Sequence, residues 1–251
     1  MSAVVDTPQS EPLRIAMWSG PRNISTAMMY SFANRGDTFA TDEPLYAHYL
    51  SATGIGHPSA AEVIENGLTD WRSVVKQLCA EVPDGSRIWY QKHMCHHIIE
   101  GMEIDWLSSF KNCFLIRDPR EVLLSLSKRT DAIDAWATGL PQQARIFKAV
   151  REMTEENPLV VDSADILNDP EGVLRGICEH LEIAFDSRML GWQSGPKECD
   201  GIWAEHWYDA VWASTGFAAP RPREGELSKV LQSVLDDVQP IYNELASHRM
   251  T

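Results

Sequence analysis

The stretch "MWSGPRNISTAMMYSF", Met17 to Phe32, decides how the rest of the chain is read. Its start continues an apolar run, Arg14–Trp18, that predicts a buried strand. Gly20-Pro21-Arg22-Asn23 then turns the chain, and Ile24, Met28 and Phe32 recur at helical spacing on one face. Asn23 or Ser25 is expected to cap this helix, and Gly36, after Arg35, to stop it in the left-handed conformation. The first-turn N–H groups of such a helix, with its dipole behind them, form an anion site. Arg22 adds a forked cation there, and Ser25 and Thr26 add hydroxyl donors. A Walker A loop would require G-x-x-x-x-G-K-[ST]; after Gly20 the chain reads P-R-N-I-S-T, with neither second glycine nor lysine. The missing lysine and the shortened loop argue against an ordinary kinase or ATPase, while the loop by itself also reads as a strand-turn-helix corner with a capping serine and a surface arginine.

Working outward, short apolar runs alternate with helical patterns. Strands are predicted at Arg14–Trp18, Thr38–Thr41, Arg87–Gln91, Asn112–Ile116 and Leu159–Val161. Helices are predicted near 25–35, 59–81, 95–109, 119–129, 140–156 and 170–182. That alternation implies an α/β fold with a mainly parallel sheet, right-handed crossovers and helices on both faces. Ligands of such sheets bind beyond the carboxyl ends of the strands. Residues 1–11 read as a loose tail and 12–251 as a single domain. From 186 onward the pattern becomes irregular and tryptophan-rich (Trp192, Trp203, Trp207, Trp212), with Pro220 and Pro222 following. An apolar stripe from Leu227 to Leu245 then predicts a C-terminal helix packed on its own domain and interrupted or kinked at Pro240.

A second loop, "FLIRDPREVLLSLSKR", follows the fourth strand. Asp118 is a predicted N-cap, Pro119 fits the first helical position, and Glu121 completes a capping box. Capping does not account for Arg117 at the strand end or for Ser125, two turns into the helix. An arginine and a serine so placed suit a terminal phosphate. Asp162 and Asp165 read as a turn-forming pair.

With 22 basic and 36 acidic residues the chain carries a net charge of −14. This disfavours nucleic acid and anionic membranes, which need a basic footprint. No apolar run reaches the ~20 residues needed to span a bilayer. Five scattered cysteines without a C-x-x-C pair, and no signal-peptide pattern, read as a cytoplasmic protein with reduced thiols. His93, Cys95, His96 and His97 match no structural zinc spacing, and no metal is expected.

Taken together, S-G-P-R-N-I-S-T after the first strand and R-D-P-x-x-x-x-x-S after a later one resemble the sulfotransferases that use 3′-phosphoadenosine-5′-phosphosulfate (PAPS). "LVVDSADILNDPEGVLRGICEHL", Leu159 to Leu181, resembles that family's third conserved piece, and the order is kept over roughly Arg14 to Leu181. "DEPLYAHYL" (Asp42 to Leu50) and "QKHMCHHI" (Gln91 to Ile98) place the chain nearest a bacterial-type branch. The resemblance implies a three-layer P-loop NTPase-like fold and transfer of a sulfuryl group from PAPS to a hydroxyl or amine of a small acceptor, without a metal. By it, Gly20, Arg22, Asn23, Ser25, Thr26, Arg117 and Ser125 hold the cofactor. Arg22 and Lys92 serve the transferring group, and His93, His96 or Glu43 takes the acceptor proton. Two departures stand out: Arg22 replaces the family's first-loop lysine, and no R-K-G-x-x-G-D-W segment follows, with Ser214 to Phe217 matched only to part of that cofactor edge. Acceptor lining is expected from 43–60 and 190–217, and the chain is expected to be a monomer or homodimer. Two alternatives remain: a nucleotide-binding protein without transfer, and a Mg-nucleoside-triphosphate phosphotransferase.

Overall fold

A computed structural model describes residues 11–130, 132–220 and 224–250. All but residue 11 of the expected tail lies outside these, as does Pro222. In chain order the elements are β1 (Leu13–Ser19), α1 (Ser25–Ala33), β2 (Thr38–Asp42), α2 (Tyr46–Thr53), α3 (Ala60–Asn66), α4 (Trp71–Leu78), β3 (Ile88–Met94), β4 (Lys111–Ile116), α5 (Pro119–Leu126), α6 (Leu140–Thr154), β5 (Leu159–Asp162), α7 (Ser163–Asn168), α8 (Pro170–His180), α9 (Ala204–Trp207), α10 (Asp209–Trp212) and α11 (Lys229–Ala246). The five strands form one sheet in the order β2-β3-β1-β4-β5, and every pairing is parallel.

Side-chain alternation along the strands divides the core in two. Ile15, Met17, Ile88, Tyr90, Cys113, Leu115 and Val161 join α1 and α8 on one face. Ala16, Trp18, Trp89, Phe114, Ile116 and Val160 join α4, α6 and α11 on the other. Burial on both faces explains why the strands read as continuous apolar runs. The chain runs from β1 out to β2 and β3, then crosses to β4, so β1 lies at the switch of direction. Its carboxyl end, with those of β3 and β4, is where a ligand crevice forms.

Several expectations are corrected. Residues 59–81 hold two helices, α3 and α4, separated by the turn at Gly67 and capped anew by Asp70, whose side chain accepts from Ser73 N. Residues 95–109 form two 3₁₀ turns, Cys95–His97 and Asp105–Ser109, instead of one helix. Helices α2 and α7 were not anticipated. Helix α1 ends at Asn34 in ordinary helical geometry, so Gly36 is not its left-handed stop. Helix α11 runs through Pro240, which is exposed, as is Asp236, whose carbonyl the missing proline N–H would have served. The stripe Val234, Val238 and Leu245 packs against α5, α6 and β5 as anticipated. No described helix is long and apolar enough to cross a membrane.

Candidate active site

The first loop is bent by two non-glycine residues with positive φ, Arg22 (62°) and Ile24 (53°). Such positions cost roughly 1–3 kcal/mol each and cluster where a backbone is shaped for a purpose. Ile24 occupies the N-cap of α1 and no side chain caps that helix. Asn23, expected as cap or cofactor ligand, instead donates from Nδ2 to the Leu115 carbonyl at 2.6 Å, tying the loop to the end of β4. Gln143 from α6 donates to the same carbonyl at 2.9 Å and to Trp18 O at 3.1 Å, so amide side chains serve the carbonyls at the ends of β1 and β4. Gly20 has a packing reason: a Cβ there would stand 2.4 Å from the Thr138 carbonyl oxygen. Ser25 is buried and Thr26 half-buried in the first turn of α1, whose N–H groups are left for an anion.

The second loop meets the first through Arg22. Arg22 Nε donates to Ser125 Oγ at 3.0 Å, and Arg117 Nη1 donates to the Arg22 carbonyl at 2.9 Å. Arg117 Nη2 lies 3.5 Å from Glu121 Oε2. Asp118 caps α5 as anticipated, accepting from Arg120 N at 2.8 Å. Two guanidinium groups and a buried hydroxyl thus converge at the carboxyl ends of β1 and β4. Ser125 and Arg117 do face one place, but Arg22 stands between them, which sequence spacing did not reveal.

Lys92 and His93 lie within β3, which extends to Met94, and strand alternation sends them to opposite faces of the sheet. Lys92 is almost fully buried. Its ammonium donates to Asp42 Oδ1 at 2.8 Å, Glu43 Oε1 at 2.5 Å and Tyr208 Oη at 2.8 Å. Burial opposes its charge, but Asp42 and Glu43 outweigh that and hold it protonated. Burial raises the Glu43 carboxyl above the ordinary range, with the Lys92 charge pulling the other way and Asp42 adding to the rise. Glu43 itself has φ 40°. His93 stacks on Trp18 at 4.4 Å, and its Nε2 is 3.2 Å from Gln91 Oε1. Burial, and secondarily Lys92, pushes it down to about 3. His93 is thus separated from Lys92 by the sheet. His96 lies in the 95–97 turn, edge-on to Tyr49 and His97, and is pushed down to about 4 by burial.

Two participants carried no sequence signal. Tyr208 comes from the irregular region and donates to Asp42 Oδ2 at 2.7 Å, while Gly201 N donates to the same oxygen at 3.2 Å. Asp200 receives Tyr30 Oη at 2.6 Å and Trp212 Nε1 at 2.9 Å. These bonds fasten segment 197–212 across the carboxyl edge of the sheet. Residues 214–217 pack beside Trp192 on the α1 side: Trp192 Nε1 donates to Ser214 Oγ, and Phe217 meets the Trp192 ring at 5.2 Å. Among the described residues no group of three or more His, Cys, Asp or Glu side chains is placed to hold a metal ion.

The pattern of the Sulfotransferase domain family matches residues 13–249. The chain resembles the sulfotransferase from Alicyclobacillus acidocaldarius (TM-score 0.55, 11% identity, covering 96% of this chain and 98% of that one). It also resembles the sulfotransferase domain of the Synechococcus PCC 7002 olefin synthase (TM-score 0.51, 17% identity, covering 96% of each). At those identities the likeness is one of fold. Branched-chain-amino-acid aminotransferase-like protein 1 of Arabidopsis thaliana is 39% identical over 242 residues, which are 95% of this chain and 42% of the relative. The chain therefore spans less than half the length of that relative. On the match over nearly its whole length, and on the parallel sheet it shares with solved sulfotransferases, the chain belongs to the Sulfotransferase domain family.

Proposed function

We propose that the protein transfers a sulfuryl group from PAPS to a hydroxyl or amine of a small acceptor. The observation that carries this is the convergence of Arg22, Arg117 and Ser125 on one place, with Arg22 joining the two loops. That donor set fits a ligand with two separated anionic groups: Ser125 and Arg117 suit a terminal phosphate, and Arg22 with the uncapped first turn of α1 suits the other.

PAPS would supply a sulfuryl group attached through a bridging oxygen that leaves with the phosphate. Around it the chain's own residues divide the work. Arg22 and the 23–26 amides face the charge that develops on the leaving oxygen, a preorganised electrostatic contribution that needs no metal. Lys92, held charged, fixes Glu43 and Asp42. Glu43, raised by burial, is the group best placed to take the acceptor proton, since its basicity is moved toward the working pH. Five thiols, none paired, fit a reducing compartment such as the cytoplasm.

Incubation with radiolabelled PAPS and a panel of small alcohols, phenols and amines tests the reading. Label transferred to an acceptor supports it, and no transfer by a protein that binds adenosine 3′,5′-bisphosphate overturns it. The latter outcome would favour a binding protein without turnover, for which one observation speaks: Arg22 Nε is engaged by Ser125.

A further inference from the structure

The first half of α11 has two unlike sides. Val234 and Val238 are buried against the domain, while Lys229, Val230, Ser233 and Asp237 are exposed. The exposed side borders an open groove of about 690 Å³, walled opposite by residues 133–135 and lined in part by the buried side chains of Ile133 and Val234. Val230 is 69% exposed, and Trp136, directly after that wall, is 48% exposed. A lone exposed apolar side chain needs no explanation, but two large ones beside an apolar groove mark a contact surface.

The charges on that side say what fits it. Lys229 and Asp237 stand four residues before and after Ser233, so the three form one ridge of the helix. Along the helix the two charges lie about 12 Å apart, too far to pair with each other. Among the described residues neither has an ion-pair partner, whereas Asp236 is engaged by Gln232 at 2.9 Å and Asp134 by the Ala137 N–H at 2.8 Å. We infer that this face is where two copies of the chain associate, their α11 helices crossing antiparallel about a two-fold axis at Ser233.

Such an axis sets Lys229 of each copy against the partner's Asp237, twice over, and brings Val230 of each to the groove of the other. A two-fold contact requires a surface complementary to itself, and opposite charges equidistant from a small central residue satisfy that requirement. The net charge of −14 makes the requirement strict: two such chains repel, so the patch where they meet must pair unlike charges locally. The small Ser233 side chain at the crossing lets the two helices approach closely. One helix face and a short wall form an interface at the small end of the range, so a dissociation constant in the micromolar range is expected. This association is independent of the sulfuryl-transfer reading and stands or falls without it.

The test is sedimentation equilibrium of the intact protein, loaded at about 1 to 200 μM so as to span a micromolar dissociation constant. Wild type is expected to show a monomer–dimer equilibrium. Lys229→Asp sets acid against acid across the axis and Asp237→Lys sets base against base, and each is expected to weaken association at least about tenfold. Mixing the two variants restores both unlike pairs, so a heterodimer about as tight as the wild-type dimer is expected. Val230→Asp, which puts a charge where the groove is apolar, is expected to weaken association as well. All three positions are exposed, and circular dichroism verifies each fold; the wild-type measurement depends on no variant. A wild type that stays monomeric throughout, a dimer indifferent to the charge reversals or to Val230→Asp, or a mixture of the two reversed variants that stays monomeric overturns the inference.

Discussion

Arg22 Nε donates to Ser125 Oγ at 3.0 Å, across 103 positions of sequence. The bond joins the two loops: an arginine after β1 is held by a serine from the last turn of α5, while Arg117 holds the backbone of that arginine.

Ser125→Ala removes the acceptor of a part-buried, charge-assisted bond, worth about 1.5–3 kcal/mol. We expect weaker binding of adenosine 3′,5′-bisphosphate, by about tenfold or more in a calorimetric titration, with the fold retained in circular dichroism. Unaltered affinity would separate Ser125 from the anion site.

Lys92→Ala leaves Asp42 and Glu43 buried without their cation. Breaking a buried pair this way costs about 3–5 kcal/mol, which in a chain of this size lowers Tm by about 6–20 °C. Differential scanning calorimetry checks it, and a fall of less than about 3 °C would show that the cluster contributes little to the fold.

The raised Glu43 carboxyl predicts a pH dependence. Glu43 takes up its proton at a higher pH than a free glutamate, so turnover should rise with pH along a limb lying above the ordinary carboxylate range. The sign for stability is opposite. A carboxyl raised in the folded state contributes stability that is full below its unfolded value and lost as pH rises through the folded one. Glu43→Gln is expected to abolish turnover and to flatten that part of the stability profile. Should the rate limb persist in Glu43→Gln, another base is at work.

His93 lies across the sheet from Lys92, stacked on Trp18. His93→Gln is expected to lower Tm while changing kcat by less than about threefold, far from the 10²–10⁴-fold associated with loss of a general base. A loss of turnover in that latter range would return His93 to the catalytic group.

Much of the fold was legible in the sequence. All five strands were placed within a few residues, because burial on both faces writes them as apolar runs. That Arg22, Arg117 and Ser125 would face one place was legible because neither capping nor packing accounts for them, and the structure brings them together. What escaped depends on contacts between distant segments. That Lys92 and His93 part company follows from β3 reaching Met94, and a one-residue change of register reverses faces. Tyr208 meets Lys92 across 116 positions and Tyr30 meets Asp200 across 170, so neither leaves a periodic trace. Glycine was misleading as well: Gly20 reads as a ligand-cradling residue, yet Thr138 is what excludes a side chain there.

The claim that the two loops form one PAPS site is tested most directly by titrating wild type and Arg117→Ala with adenosine 3′,5′-bisphosphate and with adenosine 5′-monophosphate. Wild type should bind the bisphosphate at least about tenfold more tightly than the monophosphate, and Arg117→Ala should erase that difference. Equal affinity of wild type for the two, or an Arg117→Ala protein that still tells them apart, would contradict the claim.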